Sequence, residues 1–488
     1  MALATAPLSW FGLAWVAFAP LWSVCRHAPW RSRLLYGAAW GLGYYGGALF
    51  WITGIHPMTW MGVPWFSSLF IALVCWVLII VWGTAIPMVW AILWPWLSPK
   101  TVWGRWLVGI SLWCGLEALW QLGPLWWPSL AYTQSPNNLW ILHWGQISGP
   151  TTVIALIVGV NGLLAEAILI PRRAAYQRWG LAIAAISFMG VAIWGGYSLS
   201  QVADSEGQPF RVGVIQGNVP NEIKLYPAGW RRAIAGYTQG YRALAAQGVD
   251  VVVTPETALP FVWSQLVESN HPFYRAIQTE RVPVWVGAFG QEGTTQTNSL
   301  FSITATGQTL SQYDKVKLVP LGEYIPFAQL LGRFISRLSP LDATLQAGDP
   351  QQTFETTQEQ AIAGICYESA FPEHFRRQAA QGGEFIVTVS NDAHYSHVMP
   401  AQHHALDVMR AIETDRWAIR ATNTGYSAIV DPHGQTVWRS QMDTYSLHTA
   451  TVERRHSQTL YVRWGDWLLW VLLFGSGISY GVWRLKGK

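Results

Sequence analysis

The feature that most constrains this chain is the uninterrupted stretch from Leu34 to Pro99, which contains no Asp, Glu, Lys or Arg. A helix needs about 20 mostly apolar residues to cross a bilayer, so this stretch is long enough for two spans. Only 12% of the 488 residues are charged, about half of the fraction typical of soluble domains. The composition therefore predicts a membrane protein, and a net charge of +4 gives no reason to expect a nucleic-acid partner.

The acidic residues show where the membrane part ends, since all except Glu117, Glu166 and Asp466 lie between residues 204 and 463. This pattern predicts an N-terminal transmembrane bundle over 1–200 and a C-terminal transmembrane helix with a basic tail over 464–488. Between them it predicts a separate domain over 201–463, which is large enough to bury its own core. The apolar segments predict seven spans, at roughly 8–25, 34–56, 65–97 (with a break expected near Pro87), 103–123, 147–170, 178–199 and 467–483.

Basic residues occur in alternate loops, whereas the intervening loops 57–64 and 124–146 carry no charge. Cytoplasmic loops are enriched in Lys and Arg, so the basic loops are predicted to be cytoplasmic and the 201–463 domain to lie on the opposite side. The same count places Met1 outside. Either the 8–25 segment is not a simple span, or a first helix precedes Met1. The basic residues are Arg26, Arg31, Arg33, Lys100, Arg105, Arg172, Arg173, Arg178, Arg484, Lys486 and Lys488.

The central domain alternates short β-branched runs with helical stretches, which predicts an α/β or α+β sheet domain. Helices are expected over 228–247 and 401–415. The predicted strands are Arg211–Gln216, Val251–Thr254, Val282–Ala288, Asn298–Ile303, Ala361–Cys366, Phe385–Ser390 and Ser427–Asp431.

Three strand ends carry residues suited to catalysis. Glu256 follows an apolar run and suits a general base, and Lys315 suits the stabilisation of a developing negative charge. Cys366 is the one cysteine outside the apolar segments, and a single cysteine with acid and base partners elsewhere is a nucleophile candidate. Each residue alone also has an ordinary structural interpretation; the ordered set of Glu, Lys and Cys is the stronger signal.

The surrounding stretches carry a family resemblance: VIQGNVP at 214–220, PETALP at 255–260, YDKVKLVPLGEYIPF at 313–327, ICYE at 365–368, SNDA at 390–393, RATNTGYSAIV at 420–430 and GPLWWPSLAYTQ at 123–134. On these stretches the chain resembles the nitrilase (carbon–nitrogen hydrolase) superfamily and, more narrowly, its apolipoprotein N-acyltransferase family. The resemblance implies an αββα sandwich with Glu256 as base, Lys315 as oxyanion-stabilising cation and Cys366 as nucleophile. It also implies supporting or substrate-binding roles for Glu323, Tyr367, Glu368, Asn391 and Tyr226.

The implied activity is a two-step acyl transfer through a thioester, from a membrane phospholipid to the α-amino group of a diacylated apolipoprotein. Such an enzyme is expected in the bacterial inner membrane with its catalytic domain on the periplasmic side, and it needs no cofactor. The alternatives are a membrane-tethered nitrilase or amidase that hydrolyses small C–N substrates, and a non-catalytic membrane scaffold or transporter with an inactive nitrilase domain. The histidines at 394, 397, 403 and 404 have spacings that suit a metal, but no carboxylate-rich ligand pattern accompanies them, and no metal is predicted. His403 and His404 are expected to begin the helix 401–415.

The sequence departs from the family pattern in three places. Members usually have a tryptophan after the QGN-P motif, where this chain reads Lys224-Leu225-Tyr226-Pro227. The loop aromatic is therefore absent or replaced by Tyr226. The family's NDAWFG reads NDAHYS at 391–396, which changes the substrate rim at His394. The family usually has eight spans, against the seven predicted here.

Overall fold

The structure is a computed structural model that describes residues 1–201, 207–324, 345–393 and 395–486. His394 and residues 325–327 of the YDKVKLVPLGEYIPF motif, both named above, lie outside the described residues. The chain divides into two compact units, one of residues 1–56, 66–203 and 459–488 and the other of residues 57–65 and 204–458.

The N-terminal part of the first unit is helical. The segment predicted as a span over 8–25 forms a 3₁₀ helix, Phe11–Trp15, followed by a seven-residue α-helix, so the prediction of a simple span there is wrong. At about 2.0 Å per residue for the 3₁₀ helix and about 1.5 Å for the α-helix, neither piece approaches the thickness of a bilayer. The α-helices are α1 (Ala19–Cys25), α2 (Trp30–Ala48), α3 (Trp65–Leu97), α4 (Val102–Gln121), α5 (Leu139–Leu142), α6 (Gly145–Ser148), α7 (Pro150–Leu169) and α8 (Ala175–Ser200).

Helix α3 continues through Pro87 and Pro95, so the break predicted near Pro87 does not occur. Gly41 of α2 explains how the two helices approach closely at this level. A Cβ at position 41 would lie 2.9 Å from the ring of Pro87 and 2.8 Å from the methyl group of Thr84. Small residues of this kind are typical of helix contacts in membranes.

The two acidic residues of the N-terminal part have internal partners. Glu166 accepts hydrogen bonds from two guanidinium nitrogens of Arg105, at 2.9 and 2.6 Å. Glu117 accepts from the hydroxyl of Ser129 at 2.6 Å and from the backbone of Leu130 at 3.1 Å. Both carboxylates are buried, and we attribute to them a role in holding the helices and the 129–134 loop together.

The second unit contains two sheets. The seven-stranded sheet has the order β13-β1-β2-β4-β5-β6, with β3 paired to β4, and the six-stranded sheet has the order β12-β11-β10-β9-β8-β7. The strands are β1 (Gln208–Gln216), β2 (Val251–Val253), β3 (Leu259–Val262), β4 (Val284–Glu292), β5 (Thr295–Ile303), β6 (Thr309–Asp314), β7 (Phe354–Thr356), β8 (Glu359–Ile365), β9 (Phe385–Ser390), β10 (Ala418–Thr422), β11 (Ala428–Val430), β12 (Thr436–Arg439) and β13 (Ser446–Arg454).

Alternation along the strands builds the layers, because successive side chains point to opposite faces. Val212 and Val214 of β1 join a core with Val387 and Val389 of β9, so the two sheets face each other. On the outer face of the larger sheet, Ile215 packs in a second core with residues of three helices. The αββα sandwich implied by the resemblance is confirmed. Its helices are α9 (Asn221–Lys224), α10 (Pro227–Ala245), α11 (Trp263–Glu268), α12 (Pro272–Glu280), α13 (Pro372–Ala380) and α14 (Val398–Thr414).

The chain then returns to the first unit through α15 (Leu460–Trp464) and α16 (Trp467–Lys486). Ser476 of α16 donates to the hydroxyl of Ser111 in α4 at 2.6 Å. Among the described residues, α3, α7, α8 and α16 are long and apolar enough to cross a membrane. Helices α2 and α4 lie at two more of the predicted spans but are not among these four.

Candidate active site

Three loops of the sandwich bring the predicted catalytic residues into one buried region. Glu256 follows β2, Lys315 follows β6 and Cys366 follows β8, and these residues are 6, 1 and 8% exposed. Gly287 of β4 makes room for the Glu256 turn, because a Cβ there would lie 2.0 Å from the carbonyl oxygen of Pro255. Both sheets therefore contribute, the larger one supplying the acid and the amine and the smaller one the thiol.

The Lys315 ammonium lies between two carboxylates. Its Nζ is 3.0 Å from Glu256 Oε1 and 2.9 Å from Glu323 Oε1. The side-chain amide of Asn298 donates to the same two oxygens, at 2.7 Å each. The remaining oxygen of Glu256 accepts the backbone N–H of Asn391 at 2.8 Å. The four side chains and this one N–H form a closed network, which fixes the direction in which Glu256 points.

Charge pairing determines the protonation of this network. Burial alone would raise the pKa of Glu256, but the positive charges of Lys315 and Lys224 and the donated hydrogen bonds hold it below its ordinary value. Burial opposes a charge on Lys315 too, yet Glu256 and Glu323 raise the pKa of its ammonium well above the usual range. Glu256 is consequently an anion able to accept a proton, and Lys315 is a permanent cation.

Cys366 stands at a strained turn. Its φ is +53°, a conformation that non-glycine residues seldom adopt and that clusters at functional sites. Its backbone carbonyl lies 2.8 Å from Nε2 of His403, whose other nitrogen is 3.1 Å from Asp392. Burial and the charge of Glu256 raise the pKa of the thiol well above its ordinary value, although Lys315 acts in the opposite direction. The thiol is therefore protonated at rest and needs a base when it attacks.

Glu368 connects the nucleophile turn to the lysine loop. One carboxylate oxygen accepts the backbone N–H groups of Val316 at 2.7 Å and Lys317 at 3.1 Å. The other accepts the N–H of Ile365 at 2.7 Å and the hydroxyl of Tyr313 at 2.9 Å. Fully buried, this carboxylate holds the residues that flank Lys315 and Cys366 at a set separation.

The asparagines of three motifs form a second cluster beside Glu256. Asn423 donates to Asn391 at 2.9 Å and to the carbonyl of Val219 at 2.7 Å. Its own carbonyl accepts the N–H of Asn218 at 2.8 Å. Asn391 also lies 3.4 Å from Asn221 at the start of α9. The loops that contain QGNVP, SNDA and ATNTG are thus joined to each other and, through Asn391, to Glu256.

Comparison with known proteins identifies the family. Residues 211–460 match the carbon-nitrogen hydrolase family, and residues 1–163 match the apolipoprotein N-acyltransferase N-terminal domain. The apolipoprotein N-acyltransferase of a Nostoc species is 53% identical over 100% of this chain and 97% of its own length. This chain belongs to the apolipoprotein N-acyltransferase family. The member from a Synechocystis species is 47% identical over 98% of each chain. The solved structure of a nitrilase-superfamily amidase from Nesterenkonia matches at 18% identity with a TM-score of 0.40, covering 52% of this chain and 94% of that one.

The structure of this family member brings most of the predicted site residues together. Glu323 and Asn391 contact the Glu256–Lys315 pair, as described. Tyr367 follows the nucleophile, and its half-buried ring packs edge-on against Phe371 with centroids 5.1 Å apart. Tyr226 differs, because its side chain is 48% exposed at the start of α10 and does not enter the buried cluster.

The described histidines of the 394–404 cluster do not form one set. His397 is exposed beside Met442, whereas His404 lies 2.9 Å from the hydroxyl of Thr436. His403 has ligand-capable atoms within 4.8 Å of Cys366 and Asp392, but both of its ring nitrogens already have protein partners. The prediction that His403 and His404 begin a helix is wrong by one turn, since α14 begins at Val398.

Several residues of the site were not predicted from the sequence. Asn298 lies inside a predicted strand, and Lys224 was noted only for its place in a divergent loop. Asp392 and His403 were quoted in motifs or histidine clusters without a role. Each of them is a polar residue in a stretch that is otherwise apolar or that contains one of the family motifs. A polar residue buried in such a stretch needs hydrogen-bond partners, and this requirement is the signal that could have identified them.

Proposed function

We propose that this chain transfers an acyl chain from a membrane phospholipid to the α-amino group of the diacylglyceryl-cysteine of apolipoproteins, through a thioester on Cys366. The observation that carries the proposal is the buried Glu256–Lys315 pair in a domain that also holds Cys366 at a strained turn. The family of the relatives supplies the substrate class. Since both substrates are lipids, several apolar helices in the same chain fit the task.

In the first step, Cys366 Sγ attacks the ester carbonyl of the phospholipid while its proton passes to Glu256. Lys315 and the backbone N–H of Tyr367 stabilise the oxyanion. The C–O bond then breaks, and Glu256 returns the proton to the departing lysophospholipid oxygen. The base role of Glu256 is supported by its burial beside Lys315, and by pKa shifts that keep its carboxyl ionised and the Cys366 thiol protonated before the reaction.

In the second step, the α-amine of the acceptor attacks the thioester carbon and Glu256 takes a proton from it. The C–S bond breaks, and the sulfur regains its proton as the amide leaves. A covalent intermediate divides the transfer into two easier reactions. Because the lysophospholipid leaves before the acceptor amine attacks, Cys366 is the single nucleophile needed for the whole transfer.

We also propose that the enzyme lies in the bacterial inner membrane with the sandwich on the periplasmic side. The support is the distribution of basic residues between alternate loops. The alternative activity, hydrolysis of small C–N substrates, is not favoured, because the N-terminal residues and the relatives are those of an acyltransferase family.

The decisive experiment is mass spectrometry of the purified full chain after incubation with phospholipid vesicles. We expect an acyl adduct on the Cys366 peptide, which disappears when a diacylated lipopeptide is added. Cys366→Ala should give no adduct, whereas the matched control Cys75→Ala should keep it. Cys366→Ser should accumulate the adduct, since an oxygen ester reacts less readily with amines. An adduct that persists in Cys366→Ala, or none in the wild type, would refute the proposal.

A further inference from the structure

A second lysine is buried beside the catalytic acid. Lys224 ends the short helix α9, and its side chain is only 4% exposed. Its Nζ donates to the backbone carbonyl of Glu256 at 3.1 Å and to the hydroxyl of Thr257 at 3.0 Å. A buried ammonium is costly unless it is paired and hydrogen-bonded. The two contacts place that positive charge at the residue that acts as base in the proposed function.

The turn that Lys224 contacts needs external support. Thr257 has a φ of +43°, which is unfavourable for a β-branched residue. The turn also packs directly onto Gly287, where a Cβ would lie 2.8 Å from the Thr257 nitrogen. Lys224 binds the carbonyl just before this strained residue and the side chain of the residue itself. Its ammonium therefore joins α9 to the loop that presents Glu256.

The position of α9 does not depend on Lys224 alone. Val219, just before the helix, exchanges two hydrogen bonds with the side chain of Asn423, at 2.9 and 2.7 Å. Asn221 is within 3.4 Å of Asn391. With these contacts in place, a substitution at position 224 changes the charge and the bonds at Glu256 while the segment keeps its other anchors.

We propose that Lys224 is a positioning residue for the acyl transfer, holding the Glu256–Thr257 turn and supplying the second positive charge that keeps Glu256 in its proton-accepting form. The inference rests on the proposed function, in which Glu256 is the base. With Lys315, Glu323 and Glu256 it makes a buried set of two cations and two anions. Removal of Lys224 leaves that set with an uncompensated negative charge.

The electrostatics agree with this geometry. Lys315, Lys224 and the hydrogen-bond donor Asn298 lower the pKa of Glu256. The negative charge of Glu256 in turn raises the pKa of Cys366 and of Tyr395. Burial lowers the pKa of Lys224 to about 8, against the attraction of Glu256 and of Cys366 in its anionic form. Lys224 is thus mostly charged at pH 7. Loss of its charge raises the pKa of Glu256, so that Glu256 becomes protonated at a higher pH.

The test measures the acylation rate of Cys366 from pH 3 to pH 9, a range that includes the acid limb set by the lowered pKa of Glu256, using the full chain and vesicles of phosphatidylethanolamine and phosphatidylglycerol. In Lys224→Met the acylation rate should fall by at least ~10-fold, and the acid limb of the profile should move to higher pH. Lys224→Arg should return the acid limb to its wild-type pH. Lys317→Met is the matched control, because the side chain of Lys317 lies over Phe371 instead, and its acid limb should stay in place.

The outcomes separate the two proposals. A uniform loss of rate with an unmoved limb, or no loss at all, would overturn the positioning role while leaving the acyl transfer intact. Absence of any acyl adduct in the wild type would refute the proposed function and, with it, the positioning role of Lys224. If Lys224→Met does not fold, Lys224→Gln keeps hydrogen-bond donors without the charge, and its acid limb should also move to higher pH.

Discussion

Glu368 accepts a hydrogen bond from the backbone N–H of Val316 at 2.7 Å. Val316 directly follows Lys315, the proposed oxyanion-stabilising cation, and Glu368 lies two residues after Cys366, the proposed nucleophile. One carboxylate therefore sets the separation between the cation and the sulfur. Glu368 is therefore expected to affect acylation through the positions of these two residues.

We expect Glu368→Gln to lower both the melting temperature and the acylation rate. The Glu368 carboxylate accepts four hydrogen bonds. In glutamine, an amide nitrogen replaces one of its two oxygens and cannot accept hydrogen bonds from the donors that this oxygen binds. Each buried group left without a partner costs about 1–3 kcal/mol. Thermal unfolding in detergent and single-turnover acylation measure the two effects. The exposed Glu355 supplies the control, Glu355→Gln; if both variants behave alike, Glu368 does not hold the loops.

Glu256→Gln should abolish acylation and yet make the Cys366 thiol easier to ionise. The charge of Glu256 raises the pKa of Cys366, so removing that charge lowers the pKa of the thiol and increases the thiolate fraction at pH 8. Alkylation of Cys366 by iodoacetamide, followed by peptide mass spectrometry across pH 6–10, checks the sign. Slower alkylation at pH 8 than in the wild type would contradict the arrangement described here.

Lys315→Met should be strongly destabilising, because it leaves two carboxylates facing each other without their shared cation. Breaking a buried ion pair by removing one partner costs about 3–5 kcal/mol. Adding Glu323→Gln should recover much of that stability without restoring acylation, since the oxyanion-stabilising cation is still missing. Melting temperatures of the single and double variants measure the first effect, and acylation measures the second. Restored acylation in the double variant would exclude a catalytic role for Lys315.

His403→Asn should slow the acylation of Cys366 because it removes the bond to the Cys366 carbonyl that supports the strained turn. The adjacent His404 is buried to the same degree and instead contacts Thr436. His404→Asn is consequently a matched control that should lose stability without a specific loss of acylation. The idea fails if the two variants slow acylation equally after correction for the folded fraction.

The orientation can be tested by cysteine labelling in a chain whose four native cysteines are replaced by alanine. Thr294→Cys lies in the exposed β4–β5 turn, and Arg31→Cys lies in an exposed basic segment. A membrane-impermeant maleimide should label the first in intact spheroplasts and the second only after permeabilisation. The opposite pattern would place the sandwich in the cytoplasm.

The strands and helices divide into those that local pattern predicts and those that it does not. Apolar runs such as Val251–Val253 and Phe385–Ser390 appear as strands because they are buried on both faces. Strand β10 contains the charged residue Arg420, so a search for apolar runs does not predict this strand. In the fold that charge is neutralised by Asp392 at 3.1 Å and Asp407 at 2.6 Å. Neither partner is near Arg420 in the sequence, so the strand is evident only after folding.

By itself the sequence determined the family, the apolar and mixed parts of the chain, and the Glu256, Lys315 and Cys366 set, because residue type and spacing express these directly. Only the tertiary structure decided how that set is supported. Lys224, Asn298, Glu368 and His403 acquire their roles from partners 32 to 52 residues away in the sequence, through bonds that form when both sheets close over buried polar groups. Such pairings depend on three-dimensional proximity and burial, which no local pattern of residues encodes.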